Sequence, residues 1–369
     1  MSEQPVRHLP LCSDAQLDGS RRGQILVLSR SAPEISVTIG WTAHDAMSTA
    51  EKSAQRLTFR PSFALSAGTW HVTETLPGRN RGMTDLMSDS DVLRQLLAVA
   101  RYTANVESQR LKMDFARYWA EEMAKPRYAD PKRLLRHGFK IYSQNDEDGI
   151  IQEIFRRIGA ANRTFVEFGV QNGLECNTAK LLVEGWRGLW LEANSKCVEE
   201  IRGHFQPFLS CGALSVVETT VTAANIDRTI DQAGFAQGVD MLCIDIDNND
   251  YWVWKAINSI RPRVVVIEYN SALRPPLSLV VPYNEDTNWS GGNYFGASLN
   301  ALVSLGKEKG YRIVGCCFAG VNAFFVREDL CGDHFVEPAT AEEHYEPGRY
   351  FTKFMSSGHS GRPGYYEPG

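Results

Sequence analysis

In the run Thr164-Phe-Val-Glu-Phe-Gly-Val-Gln-Asn-Gly173, the acid Glu167 stands two residues before Gly169, and Asn172 adjoins a second glycine, Gly173. A later run, Trp186-Arg-Gly-Leu-Trp-Leu-Glu192, ends on a carboxylate nineteen residues after Gly173. The apolar residues ahead of Gly169 predict a buried strand, and the two glycines let backbone pass close to a ligand. A carboxylate closing the next strand can accept hydrogen bonds from both vicinal hydroxyls of a ribose. Its offset is close to the roughly 20 residues of nucleotide-binding βαβ units. The G-x-x-x-G spacing lacks the third glycine of a dinucleotide fingerprint, so no pyrophosphate cradle is written here. An acid at Glu167 repels a phosphate, yet it suits the ammonium group of S-adenosylmethionine, directly or through water. Glu167, Gly169, Asn172, Gly173 and Glu192 are therefore the expected cofactor contacts. The bland alternative is a tight turn without a ligand.

A second cluster follows an apolar run: Cys243-Ile-Asp245-Ile-Asp247-Asn-Asn-Asp250. A third, Val266-Ile-Glu268-Tyr-Asn270, ends another such run. In parallel sheets ligands bind beyond the carboxyl ends of the strands, so Asp245, Asp247, Glu268 and Asn270 are expected to converge. Oxygen ligands with open positions suit Mg²⁺, which keeps several waters and can lower the pKa of a bound hydroxyl. A carboxylate beside it then takes the proton. The competing explanation is loop capping, since Asp and Asn favour turns and helix N-caps, and Asp250 has that role at a helix beginning near residue 251.

The elements that must carry these groups alternate. Strands are expected at 164–168, 188–192, 215–218, 241–246, 264–268, 311–316 and 322–327, with helices at 176–184, 197–205, 225–233, 251–260 and 298–309. Val-, Ile- and Leu-rich strands separated by helices predict a doubly wound, mostly parallel seven-stranded sheet, and the short last connection makes the final strand antiparallel. Residues 131–332 form this Rossmann-like domain. Ahead of it, apolar residues at helical spacing from Ser90 to Pro126 predict a helical connector over 89–130, whose apolar face is core or a dimer seam. Residues 1–88 form an appendage with short strands at 24–28 and 35–39, and 333–369, rich in Pro, Gly and Tyr, read as an irregular tail or lid.

Composition bounds the rest. The 369 residues carry a formal net charge of −5, which argues against general nucleic-acid binding. No apolar stretch reaches a membrane span, and Met1-Ser-Glu-Gln-Pro lacks the features of a signal peptide. Eight scattered cysteines without a C-x-x-C pair fit a reducing cytoplasm.

Tyr142-Ser-Gln-Asn-Asp-Glu-Asp-Gly149, Phe165-Val-Glu-Phe-Gly169, Gly185-Trp-Arg-Gly188 and Tyr311-Arg-Ile-Val314 together resemble the FkbM-type class I methyltransferase family, over about residues 135–330. The resemblance implies S-adenosylmethionine contacts at Glu167, Gly169 and Gly173, a ribose contact at Glu192, and a pocket bordered by Ser143, Gln144, Glu147 and Asp148. The Asp-x-Asp pair is also similar to that of metal-dependent sugar O-methyltransferases of macrolide and aminocoumarin pathways. That similarity implies Asp245 as a metal ligand and Asp247 as the base; Glu268 and Asn270 are further candidate metal ligands from their place beyond the fifth strand, and Asp245 is also a candidate cofactor contact. Those enzymes carry an Asp-Asp pair after the fifth strand, where this chain has Glu268-Tyr269. The expected activity is O-methylation of a sugar or natural-product hydroxyl, with Mg²⁺ assisting and a homo-oligomer as the form. The alternatives are an N- or carboxyl-methyltransferase on the same fold, and a non-catalytic scaffold.

Overall fold

The computed structural model describes residues 24–31, 34–41, 55–59, 89–286 and 292–349. The chain divides into two compact units, Met1–Ser88 and Asp89–Gly369.

In the first unit, β1 (Gln24–Ser31), β2 (Glu34–Trp41) and β3 (Gln55–Phe59) form an antiparallel meander. Leu26 stands opposite Ile39 and Leu28 opposite Val37, so the alternation that marks the first two strands also sets their register. The short third strand, in register Val37 to Leu57, had no comparable signal.

The second unit opens with α1 (Asp89–Met123) and α2 (Glu147–Ile158). There follow β4 (Thr164–Phe168), α3 (Ala179–Val183), β5 (Arg187–Glu192), α4 (Ser195–His204), α5 (Gln206–Ser210), β6 (Leu214–Glu218) and α6 (Ile226–Gln232). Then come β7 (Met241–Ile244), α7 (Asp250–Ala256), β8 (Val264–Glu268), α8 (Leu299–Glu308), β9 (Tyr311–Cys316), β10 (Asn322–Arg327), α9 (Glu328–Cys331) and α10 (Ala341–His344). The sheet order is β6-β5-β4-β7-β8-β10-β9, with β10 antiparallel to both neighbours and β4 through β8 parallel. This is the doubly wound, mostly parallel seven-stranded sheet with a terminal antiparallel hairpin expected from the pattern. Strand order reverses between β4 and β7, the topological switch point at which such sheets open a crevice.

Both faces of the sheet are covered. Phe165, Trp190, Met241, Cys243, Val264 and Val266 point into one apolar cluster, with Ile150 and Ile154 of α2. Val166, Phe168, Leu189, Leu242, Ile244 and Val265 point into the other, with Ile230, Trp254 and Leu302 of α6, α7 and α8. The alternation follows from side chains reversing face at each residue of a strand. The first cluster also takes Phe115, Tyr118, Trp119 and Met123 from the end of α1. The segment expected to be an irregular tail is anchored as far as residue 349: α10 forms, Glu346 is fully buried, and Arg349 donates to the carbonyl of Phe318 at 2.6 Å. No helix among the described residues is long and apolar enough to cross a membrane.

Candidate functional site

Glycines set the shape of the turn leaving β4. Gly169 and Gly173 have φ of 79° and 81°, in the left-handed region that favours glycine. A Cβ on Gly169 would lie 1.5 Å from the carbonyl oxygen of Asp245, and one on Gly173 would lie 2.6 Å from the Phe205 ring and 2.7 Å from Trp190. The atoms that require these glycines therefore belong to the protein itself.

Glu192 closes β5 and gathers the crevice. Its Oε2 accepts from the amide of Gln171 at 2.7 Å and its Oε1 from the amide of Asn194 at 2.8 Å. Asn194 in turn caps α4, accepting from Lys196 and Cys197. Each carboxylate oxygen has a second lone pair, so the pair still suits a ribose diol. Asn172, beside Gln171, accepts from the Leu174 amide through its Oδ1.

Glu167 faces inward. Its oxygens accept from the Asn177 amide at 3.0 Å, from the Thr178 amide at 3.1 Å and from Thr178 Oγ1 at 2.5 Å. Trp190 Nε1 donates to the same hydroxyl, and Asn177 Nδ2 contacts Cys243 Sγ. Burial raises the Glu167 carboxyl above its ordinary value, and these donors partly offset it. The residue expected to meet an ammonium group instead organises the start of α3. This explains why α3 begins at Ala179 and not at the expected 176: Asn177 and Thr178 turn their amides to a side chain.

At the ends of β7 and β8, one ligand oxygen from each of Asp245, Asp247 and Glu268 lies within 4.8 Å of the others. These are three of the four residues expected to converge; the fourth, Asn270, has its side-chain amide committed to the loop that follows. It is buried, donating from Nδ2 to the carbonyls of Asn293 (2.8 Å) and Phe295 (3.0 Å) and accepting from the Ala272 amide, so it pins the 292–297 loop. That loop is the end of the aromatic, glycine-rich segment 289–296, of which 287–291 lie outside the described residues. Asp247 joins the cluster from a backbone held at φ 67° beyond the strand end.

Like charges crowd this edge. The Asp245 carboxyl is pushed well above the usual range, first by burial and then by Asp250, Asp247 and Glu167. Burial raises Asp247 as well. Asp250 accepts from the Ile246 amide at 2.8 Å through Oδ1, while its buried Oδ2 has no hydrogen-bond partner; burial holds this group at about 6. Among the described residues, Glu167, Asp245 and Asp250 pair with no basic side chain.

The segment before α2 reaches the same edge. Asp148 accepts from the amides of Ile141, Tyr142 and Ser143 at 2.6, 2.6 and 2.9 Å, and Ser143 Oγ accepts from the Asp148 amide, so capping accounts for both. Glu147, fully buried, accepts from Asn145 and from Asn322 Nδ2 at 3.1 Å. Asn322 stands opposite Glu268 in the β8–β10 register. Asn322 was not anticipated, because only strand pairing brings it to this edge. The amides of Asn145 and Asn322 each keep a buried Oδ1 without a partner.

No protein-family model and no curated protein sequence matches the chain. Solved structures do. A caffeoyl-CoA O-methyltransferase assignment from Staphylococcus aureus is similar with a TM-score of 0.32 and 10% identity, over 48% of this chain and 81% of that one. An S-adenosylmethionine-dependent methyltransferase from Clostridium acetobutylicum gives 0.31 and 11%, over 57% and 98%. An O-methyltransferase family protein from Burkholderia thailandensis gives 0.30 and 10%, over 60% and 70%.

Proposed function

We propose that this chain is an S-adenosylmethionine-dependent methyltransferase of the FkbM type that methylates a hydroxyl of a sugar or natural-product acceptor. The observation that carries the reading is the convergence of the Asp245, Asp247 and Glu268 oxygens on one side of the strand-order switch, with Glu192 closing β5 at the same carboxyl end of the sheet on the other side. A donor of positive charge suits an edge where several buried carboxylates lack basic partners. A bound S-adenosylmethionine supplies a methyl group on a cationic sulfur, and a bound divalent ion supplies Lewis acidity at a hydroxyl. The ribose diol falls to Glu192. Glu167 acts one step back by fixing the turn at Asn177 and Thr178.

The donor set fits a hard cation. Three carboxylate oxygens within 4.8 Å, with no nitrogen or sulfur among them, are what Mg²⁺ selects, and they leave positions for water and for an acceptor oxygen. Asp245, Asp247 and Glu268 would hold it. Asp247 is the most exposed of the three, so its outer oxygen is the group that takes the acceptor hydroxyl proton.

Calorimetric titration with S-adenosylhomocysteine, with and without Mg²⁺, tests the reading. Micromolar binding is expected in the wild type, with a loss of roughly tenfold or more in Glu192→Ala, the range of a charge-assisted hydrogen bond. Mg²⁺ heat that disappears in Asp245→Asn is expected as well. Absence of binding in both conditions would sink the methyltransferase reading and favour a scaffold that keeps the sheet without the cofactor.

A further inference from the structure

Two loops flank the crevice bordered by Glu192 and the carboxylate cluster. One follows β6: the Thr219 amide donates to the Glu192 carbonyl at 2.9 Å, and Ala223 lies in the same loop. The other follows β7: Asn249 stands in the turn that carries Asp247, next to the Asp245 carbonyl that meets the Gly169 turn. A third segment, 279–286, reaches both loops from beyond β8. Its root is held by backbone. Leu279 accepts from the Ser298 amide at 2.8 Å, Val281 donates to the Gly296 carbonyl at 2.9 Å, and Val280 bridges to Ala297. Trp252 Nε1 also donates to the Val281 carbonyl at 2.8 Å. Past Pro282 the support changes to side chains. Asn249 Nδ2 donates to the Asn284 carbonyl at 2.8 Å, and its Oδ1 accepts from the Asn284 amide at 3.3 Å. Tyr283 Oη accepts from the Ala223 amide at 3.1 Å and donates to Glu285 at 2.7 Å, with its ring 6.4 Å from that of Trp252.

This is the construction of a hinged strap. The root is fixed, residues 282–286 are exposed, and the reach from the β7 loop to the β6 loop rests on one tyrosine hydroxyl. A single hydrogen bond at an exposed site opens and re-forms readily, so the tip can lift while the root stays paired. The cofactor reading above, on which this inference rests, gives the strap its ligand. A ribose carries its base and its sulfonium arm on opposite sides of the ring. With the diol on Glu192 and the sulfonium facing the triad beyond β7 and β8, the base lies toward the β6 loop, where Tyr283 meets Ala223. We propose that residues 280–286 form a strap that closes over the base of the bound nucleoside, with Tyr283 as its clasp. The cofactor then enters and leaves when the bond from Ala223 to Tyr283 opens.

Stopped-flow dissociation of S-adenosylhomocysteine from the full chain, read by tryptophan fluorescence, tests the strap. Tyr283→Phe keeps the ring and deletes the clasp. Dissociation is expected to quicken about threefold to tenfold, the range of one hydrogen bond, with an unchanged thermal melt. Asn249→Ala frees the tip from the β7 loop and is expected to quicken it at least as much. Hydrogen exchange supplies a readout that fold stability alone does not move. S-adenosylhomocysteine should slow exchange in wild-type peptides covering 220–225 and 280–286, and should protect 220–225 less in Tyr283→Phe. Wild-type binding with an unchanged dissociation rate in both variants, or without ligand-dependent protection of 280–286, would overturn the strap and leave the cofactor reading standing. A wild type that binds no S-adenosylhomocysteine would overturn both.

Discussion

Asp146 has no exposed surface, and its neighbour Glu147 has none either. Two adjacent carboxylates removed from water cannot both ionise cheaply. Burial and the Glu147 charge hold Asp146 at about 8, against 3.8 for an ordinary aspartate, although the Phe318 amide donates to it at 3.0 Å. The sign follows from proton linkage. The folded protein binds the proton more tightly than the unfolded chain, so this contribution is fully present below about pH 4 and is lost as pH rises to about 8. Asp146→Asn keeps an oxygen for the Phe318 amide and removes the charge. At pH 9 the variant should be more stable than wild type, on the order of 2 kcal/mol, and at pH 4 the two should be nearly equal. Urea midpoints at the two pH values check this, and a variant no more stable at pH 9 would refute it.

At the scale of elements, the close approach of the β4 turn to the β7 end is the tightest constraint. Gly169→Ala would place a methyl 1.5 Å from the Asp245 carbonyl oxygen at a φ of 79°, so one of the two strand ends must move. A loss of at least roughly 3 kcal/mol is expected, or failure to fold, together with dispersal of the carboxylate triad. A Gly169→Ala protein melting within a few degrees of wild type would show that the turn relaxes freely. The sheet was legible in sequence because both its faces are buried: runs such as Val264–Ile267 are apolar throughout, and few elements but a central strand tolerate that. Glu192 and the Asp245 cluster were legible for a related reason, since they stand where those runs stop. What the sequence left undetermined was the direction of each side chain beyond the strand ends. Asn270 and Asp247 are both polar residues in such loops, and only the fold aims one at the 292–297 carbonyls and the other at the triad. Glu167 matched a motif, yet its oxygens are taken by amides ten and eleven residues later.

A buried ion-pair network ties the 346–349 segment to the region around α1. Glu346 and Arg349, in the last described segment, are bonded at 2.8 Å, and Tyr128 Oη donates to Glu346 at 2.8 Å. Arg349 also donates to Tyr118 of α1 at 3.1 Å and lies 4.0 Å over the Phe318 ring, against which Trp119 packs at 4.5 Å. Burial and the Glu346 charge push the Tyr128 phenol up to about 12. This one guanidinium thus holds α1, the β9–β10 connection and the 346–349 segment together, and the same connection carries the Phe318 amide that meets Asp146. Arg349→Met should leave Glu346 buried with too little compensation, costing about 3 kcal/mol and lowering Tm by roughly 6–12 °C. Removing the second charge as well, in Arg349→Met/Glu346→Leu, should recover most of that loss, because an apolar pair of similar volume replaces a desolvated one. Thermal melts of the two variants, with Trp119 fluorescence reporting the seating of α1, distinguish a coupled network from independent contacts. If the double variant melts no higher than the single one, Glu346 depends on Arg127 and Tyr128 alone, and α1 is held by its apolar face without help from the 346–349 segment.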